Sequence, residues 1–90
     1  MVTKELTIVN KLGLHARPAA MFVKLSSAWA AEVTVEKDEE QVNGKSIMGL
    51  MMLAAGCGAK ITVTAEGQDE QKVMALLEAL VGGGFTEGGK

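Results

Sequence analysis

The stretch KITVTAEGQDEQKVMALLEALV, residues 60–81, decides the fold. Its first third alternates. Ile61, Val63 and Ala65 fall on one side of an extended chain, with Thr62 and Thr64 on the other, the pattern of a strand buried on one face only. The remainder repeats at helical spacing, with Val73, Leu76, Leu77, Leu80 and Val81 on one stripe. Asp69 stands where an N-cap belongs, and acidic residues fill the first turn. A half-buried strand followed by a helix with one apolar stripe calls for a sheet covered by helices on a single side.

The rest of the chain repeats this scheme. A strand is predicted over residues 2–9, with Leu6 and Ile8 on one face and Thr7 on the other, broken by residues 10–13. A helix follows over residues 16–28, with Pro18 in its first turn and Met21, Phe22, Leu25, Ala28 and Trp29 as its stripe. EVTVE sets Val33 and Val35 against Glu32, Thr34 and Glu36, and a short run around Gln41 and Val42 completes a hairpin whose bend lacks the usual Asn-Gly. Ser46 is placed to cap a short helix over residues 47–54, with Ile47, Leu50, Met51 and Ala54 on its stripe. The order is βαββαβα, an α+β domain with a four-stranded antiparallel sheet and three helices on one face. Residues 1–90 read as a single domain, with a glycine-rich flexible tail over 82–90.

Composition narrows the function. Ninety residues form one core but no deep substrate cleft, which favours chemistry at the surface. Two Phe, one Trp and no Tyr make a poor stacking platform, and a net charge of −2 without a basic run argues against nucleic acid as a partner. One Cys and one His exclude a disulfide within the chain and any metal-ligand spacing of these two residue types. Six methionines and a free cysteine suit a reducing cytoplasm, and no apolar run is long enough to span a bilayer. Cys57 is expected to be a small apolar filler.

The lone histidine and the lone proline lie together in GLHARPAA, residues 13–20. Placed at the N-cap of the first helix, His15 would sit where unpaired backbone N–H groups and the positive end of the helix dipole converge. That setting favours an anion. A phosphoryl group on the ring would meet the amides of Ala16 and Arg17, and the Arg17 guanidinium would add a planar, permanently charged fork. A histidine in this position is also an ordinary cap or a solvated side chain, and the residues by themselves leave both readings open.

GLHARPAA resembles the active-site motif of HPr, the histidine-containing phosphocarrier family of the phosphoenolpyruvate-dependent phosphotransferase system. The likeness continues through NGKSIMGLMMLA (43–54) and AEGQDEQ (65–71) and fails only at the tail. It implies an open-faced β-sandwich and a carrier rather than an enzyme, needing no cofactor. By this resemblance His15 takes a phosphoryl group on Nδ1 from Enzyme I and passes it to a histidine of an EIIA domain, while Arg17 neutralises the phosphate. KSIMG (45–49) resembles the segment recognised by HPr kinase/phosphorylase, which makes Ser46 a regulatory acceptor as well as a helix cap. The family's docking face carries over to Arg17, Ala20, Met21, Lys24, Ile47, Met48 and Met51, and Leu14 in the active loop joins it. Leu12 and the ending GGGF depart toward the nitrogen-related paralogue, so a carrier of that regulatory branch is an alternative. A non-catalytic interaction module with His15 as a mere cap is another. A monomer is expected.

Overall fold

The computed structural model describes residues 1–85. Its elements keep the expected order: β1 (Val2–Thr7), α1 (Ala16–Ser27), β2 (Glu32–Lys37), β3 (Glu40–Asn43), α2 (Ile47–Met52), β4 (Lys60–Glu66) and α3 (Glu70–Gly82). All pairings are antiparallel, in the order β1-β4-β2-β3. On β4, Ile61 opposes Leu6, Val63 opposes Val35, and Ala65 opposes both Val2 and Val33. This register puts Leu6, Val33, Val35, Ile61, Val63 and Ala65 on one buried face, and leaves Thr3, Glu5, Glu36 and the partly covered Thr34, Thr62 and Thr64 on the other. Phe22 of α1, Leu50 of α2 and Val73, Met74, Leu77 and Val81 of α3 close the core against the apolar face. The result is the open-faced sandwich of one sheet and three helices, and each large side chain buried in it contributes about 1.5–3 kcal/mol.

Several details differ from the sequence expectation. β1 ends at Thr7, but Ile8 stays tied, donating to the Ala59 carbonyl at 2.8 Å and accepting from Gly58 N–H at 2.7 Å. α1 buries Pro18, Ala19, Phe22 and Ser26, while Met21 and Leu25 border that face and Ala28 is exposed. A serine can face the core here because its Oγ donates to the carbonyls of Gly44 at 2.8 Å and Val23 at 3.2 Å. α2 stops at Met52, and its buried side chains are Leu50 and the following Leu53 rather than Ile47, Met51 and Ala54. On α3 Met74 is buried and Leu76 is exposed.

Asp69 holds the N-cap position without capping. Its carboxylate accepts from the N–H groups of Ala30 at 3.0 Å and Ala31 at 2.9 Å, tying the α1–β2 connection to the start of α3. Residues 82–85, expected in a flexible tail, instead finish α3: Gly83, Gly84 and Phe85 donate to the carbonyls of Ala79, Val81 and Leu80, and Phe85 is buried. Residues 86–90 lie outside the described residues. The β2–β3 bend is a two-residue turn with Asp38 at φ 51° and Glu39 at φ 70°, as a type I′ turn requires, built without glycine. Cys57 is exposed rather than a core filler.

Candidate functional site

Gly13 sets the site. Its φ is +75°, and a Cβ there would stand 2.5 Å from the Ala55 carbonyl oxygen and 2.7 Å from Gly56 Cα. Only glycine both adopts this backbone and admits that approach. The close contact lets Leu14 donate to the Ala55 carbonyl at 2.8 Å, while Asn10 Nδ2 donates to the Gly13 carbonyl at 2.7 Å. Leu14 is buried. It therefore anchors the loop and is not available to a partner, contrary to its expected place on the docking face.

His15 follows in extended conformation (φ −91°, ψ −163°) as the N-cap of α1. Its carbonyl accepts from Ala19 N–H at 2.9 Å, its side chain makes no capping bond, and it is exposed. Ala16 and Arg17 open the helix, and their N–H groups have no acceptor within it. Pro18 has no N–H to leave unpaired. The first turn carries no acidic side chain that would compete for those donors. Arg17 is exposed, and among the described residues it enters no ion pair. His15 thus stands exposed at an unfilled helix N-terminus, with the unpaired guanidinium of Arg17 two residues on in the first turn, an arrangement suited to a covalently held anion.

A shallow depression of about 290 Å³ adjoins the ring, lined by Leu12, Leu14, His15, Met51, Ala54, Ala55 and Gly56. The other expected docking residues lie on α1 and α2, which pack against each other. Ala20 and Lys24 are exposed and Met21 is half-buried. Ile47, Met48 and Met51 are 42%, 71% and 42% exposed, a large apolar presence on the surface of a small domain. Two further apolar side chains are exposed: Leu12 at 73%, which the sequence marks as a departure toward the nitrogen-related paralogue but does not assign to this face, and Met52 at 65%, which sequence reasoning missed. Leu12 sits in an irregular loop where no periodicity could assign it a face.

Ser46 caps α2 as expected, its Oγ accepting from Gly49 N–H at 3.0 Å. The loop before it is tied to the end of α1 by Ser26 Oγ to the Gly44 carbonyl at 2.8 Å and by Lys45 Nζ to the Trp29 carbonyl at 2.8 Å. The same helix therefore presents His15 at one end and holds the Ser46 loop at the other. Among the described residues no group of three or more His, Cys, Asp or Glu converges, and no helix is long and apolar enough to cross a membrane.

Residues 2–82 match the family model described as the PTS HPr component phosphorylation site. The phosphocarrier protein HPr of Cupriavidus necator is 46% identical over 88 residues, covering 98% of this chain and 99% of that protein. The crystal structure of HPr-C-His from Thermoanaerobacter tengcongensis superposes with a TM-score of 0.93 at 44% identity, covering 97% of this chain and 98% of that one. Crh, the catabolite repression protein of Bacillus subtilis, crystallised as a dimer with a swapped domain, gives 0.75 at 42% identity, with 97% of this chain and 100% of that chain covered. With the fold, the motif and nearly the full length in agreement, the chain belongs to the HPr family, the phosphocarriers of the phosphotransferase system, which carry phosphoryl groups rather than act as enzymes.

Proposed function

We propose that His15 accepts a phosphoryl group on Nδ1 from the phosphohistidine of Enzyme I and passes it to a histidine of an EIIA domain. The observation that carries this reading is the exposed ring of the chain's one histidine at the N-cap of a helix whose first turn holds no competing acid. In the transfer the Nδ1 lone pair forms the new N–P bond while the donor's N–P bond breaks and the donor imidazole keeps the electron pair. The amides of Ala16 and Arg17 and the Arg17 guanidinium take the phosphoryl oxygens. Because the partner supplies the other histidine, positioning and electrostatics suffice, and no cleft is needed. Ala20, Met21, Lys24, Ile47, Met48 and Met51 dock the partners, with Lys24 and Arg17 steering acidic surfaces. The carrier acts in the cytoplasm, as a monomer.

Ser46 is the acceptor of an HPr kinase/phosphorylase in the same reading. Ser46 is part-exposed, and a phosphate on its hydroxyl would keep the helix-capping interaction while adding a dianion next to Ile47 and Met48 in the chain. The test is one mixture of this protein, Enzyme I and labelled phosphoenolpyruvate. Acid-labile, base-stable label that disappears in His15→Ala is the expected result, and an unlabelled wild-type chain refutes the carrier reading in favour of an interaction module. Running sugar-type and nitrogen-type Enzyme I side by side assigns the branch. Kinase labelling that persists in Ser46→Ala would refute the regulatory assignment.

A further inference from the structure

We infer that Asn10 is a positioning residue for phosphoryl transfer: its side-chain amide fixes the plane of the Gly13–Leu14 peptide and, through it, the backbone from which His15 presents its ring. The inference rests on the phosphohistidine reading of His15. The C=O and N–H of a trans peptide point in opposite directions, so a peptide bonded at both is held from two sides. Here Asn10 Nδ2 donates to the Gly13 carbonyl at 2.7 Å, and Leu14 N–H donates to the Ala55 carbonyl at 2.8 Å. The Gly13 carbonyl also accepts from His15 N–H at 3.0 Å. The direction that Asn10 gives this oxygen therefore passes straight to the residue carrying the ring.

No other side chain of the loop takes this part. Lys11 and Leu12 are exposed, and Leu14 is buried and apolar. Gly13 N–H donates to the Asn10 carbonyl at 3.2 Å, closing a turn that brings the Asn10 amide back over the peptide it holds. Without Nδ2 the Gly13–Leu14 peptide keeps only its tie to Ala55, on the opposite edge, and can rock about it. The amide is not simply a filler. Asn10 Oδ1 is buried and meets no donor among the described residues, while turning the amide over would set Oδ1 against the Gly13 oxygen. A buried oxygen without a donor is destabilising, and an apolar side chain of the same shape would avoid it. What asparagine adds is the Nδ2 bond, and that bond acts on the aim of His15. Transfer between two imidazoles depends steeply on aim, since a misplacement of about 1 Å can cost about a hundredfold in rate. The part-buried Asn10 is not among the docking residues, so its loss slows transfer within the complex and leaves assembly of the complex alone.

The test is rapid mixing of excess chain with labelled phospho-Enzyme I, which separates the limiting transfer rate from the half-saturating concentration. Asn10→Leu removes both polar atoms and Asn10→Asp replaces only the donor, so the two variants share the loss of the Nδ2 bond. Each is expected to lower the limiting rate at least about tenfold, with the half-saturating concentration within about twofold of wild type. Asn10→Leu should also keep or raise the urea midpoint, because it removes the unmatched Oδ1. Asp69→Ala, which frees the α1–β2 connection from the start of α3, should be the less stable variant and yet transfer at the wild-type rate. A limiting rate for Asn10→Leu within twofold of wild type overturns the inference while the carrier reading stands, and so does slowing confined to Asn10→Asp, which would be an effect of charge. Slowing that Asp69→Ala reproduces, or an Asn10→Leu chain that does not fold, makes the effect one of stability and overturns the inference as well. A wild-type chain that takes no label overturns both readings.

Discussion

Replacing Gly13 by alanine tests how the fold builds the site. The left-handed backbone at φ +75° costs a non-glycine residue about 1–2 kcal/mol. The added Cβ also meets the Ala55 carbonyl at 2.5 Å and Gly56 Cα at 2.7 Å, both main-chain atoms that cannot swing aside. Relieving such overpacking costs about 1–3 kcal/mol, so Gly13→Ala is expected to lose about 2–5 kcal/mol in all. Urea unfolding should show a lower midpoint with an unchanged slope. In a domain of this size each kcal/mol moves the melting temperature by about 4–8 °C, so the fall should be at least about 8 °C. The Leu14 bond to Ala55 is strained by the same movement, and phosphoryl acceptance by His15 should slow even at temperatures where the variant is folded. A stability loss under about 0.5 kcal/mol, with normal acceptance, would refute the argument that this glycine holds the loop.

Three further expectations concern the fold. Glu39→Gly relieves a left-handed residue in the β2–β3 turn and should stabilise the domain by about 0.5–1 kcal/mol in urea unfolding, since glycine adopts that backbone readily. Asp69→Ala removes the acceptor for two main-chain N–H groups, at Ala30 and Ala31, and should cost about 1–3 kcal/mol by the same measurement. The Glu70 carboxyl is held below its usual 4.5 by the hydrogen bond from the N-terminal ammonium and then by Gly67 N–H, with slight burial opposing. Its contribution is therefore complete above pH 4.5 and fades as pH falls through the lower folded value, so Glu70→Gln should flatten the acid limb of a stability profile recorded between pH 5 and pH 2.

The strands and α3 could be read from the chain because each buries one face, and burial on one face leaves a period in the sequence. The position of His15 at the start of α1 was legible for a different reason: Pro18, three residues on, marks the first turn of a helix. What escaped depends on partners far along the chain. Ser26 faces the core because Gly44 takes its hydroxyl, eighteen residues away, so the buried face of α1 includes a polar residue that apolar periodicity does not mark, while Met21 and Leu25 pack at its border. Asp69 has the sequence context of a cap but spends its carboxylate on residues 30 and 31. Leu14 and Leu12 flank the same glycine, and only the approach of residues 55 and 56 decides that one is buried and the other exposed.

The strand order β1-β4-β2-β3 has a consequence for how the chain comes into being. β2 and β3 can pair as soon as both are made, but β1, the first element synthesised, has no sheet neighbour until β4 arrives at residues 60–66. The chain through residue 59 must leave the ribosome with Leu6 and Ile8 still in water. A nascent chain arrested before Lys60 can hold a hairpin and fragments of helix but no closed core, which makes acquisition of the native state a late and nearly all-at-once event.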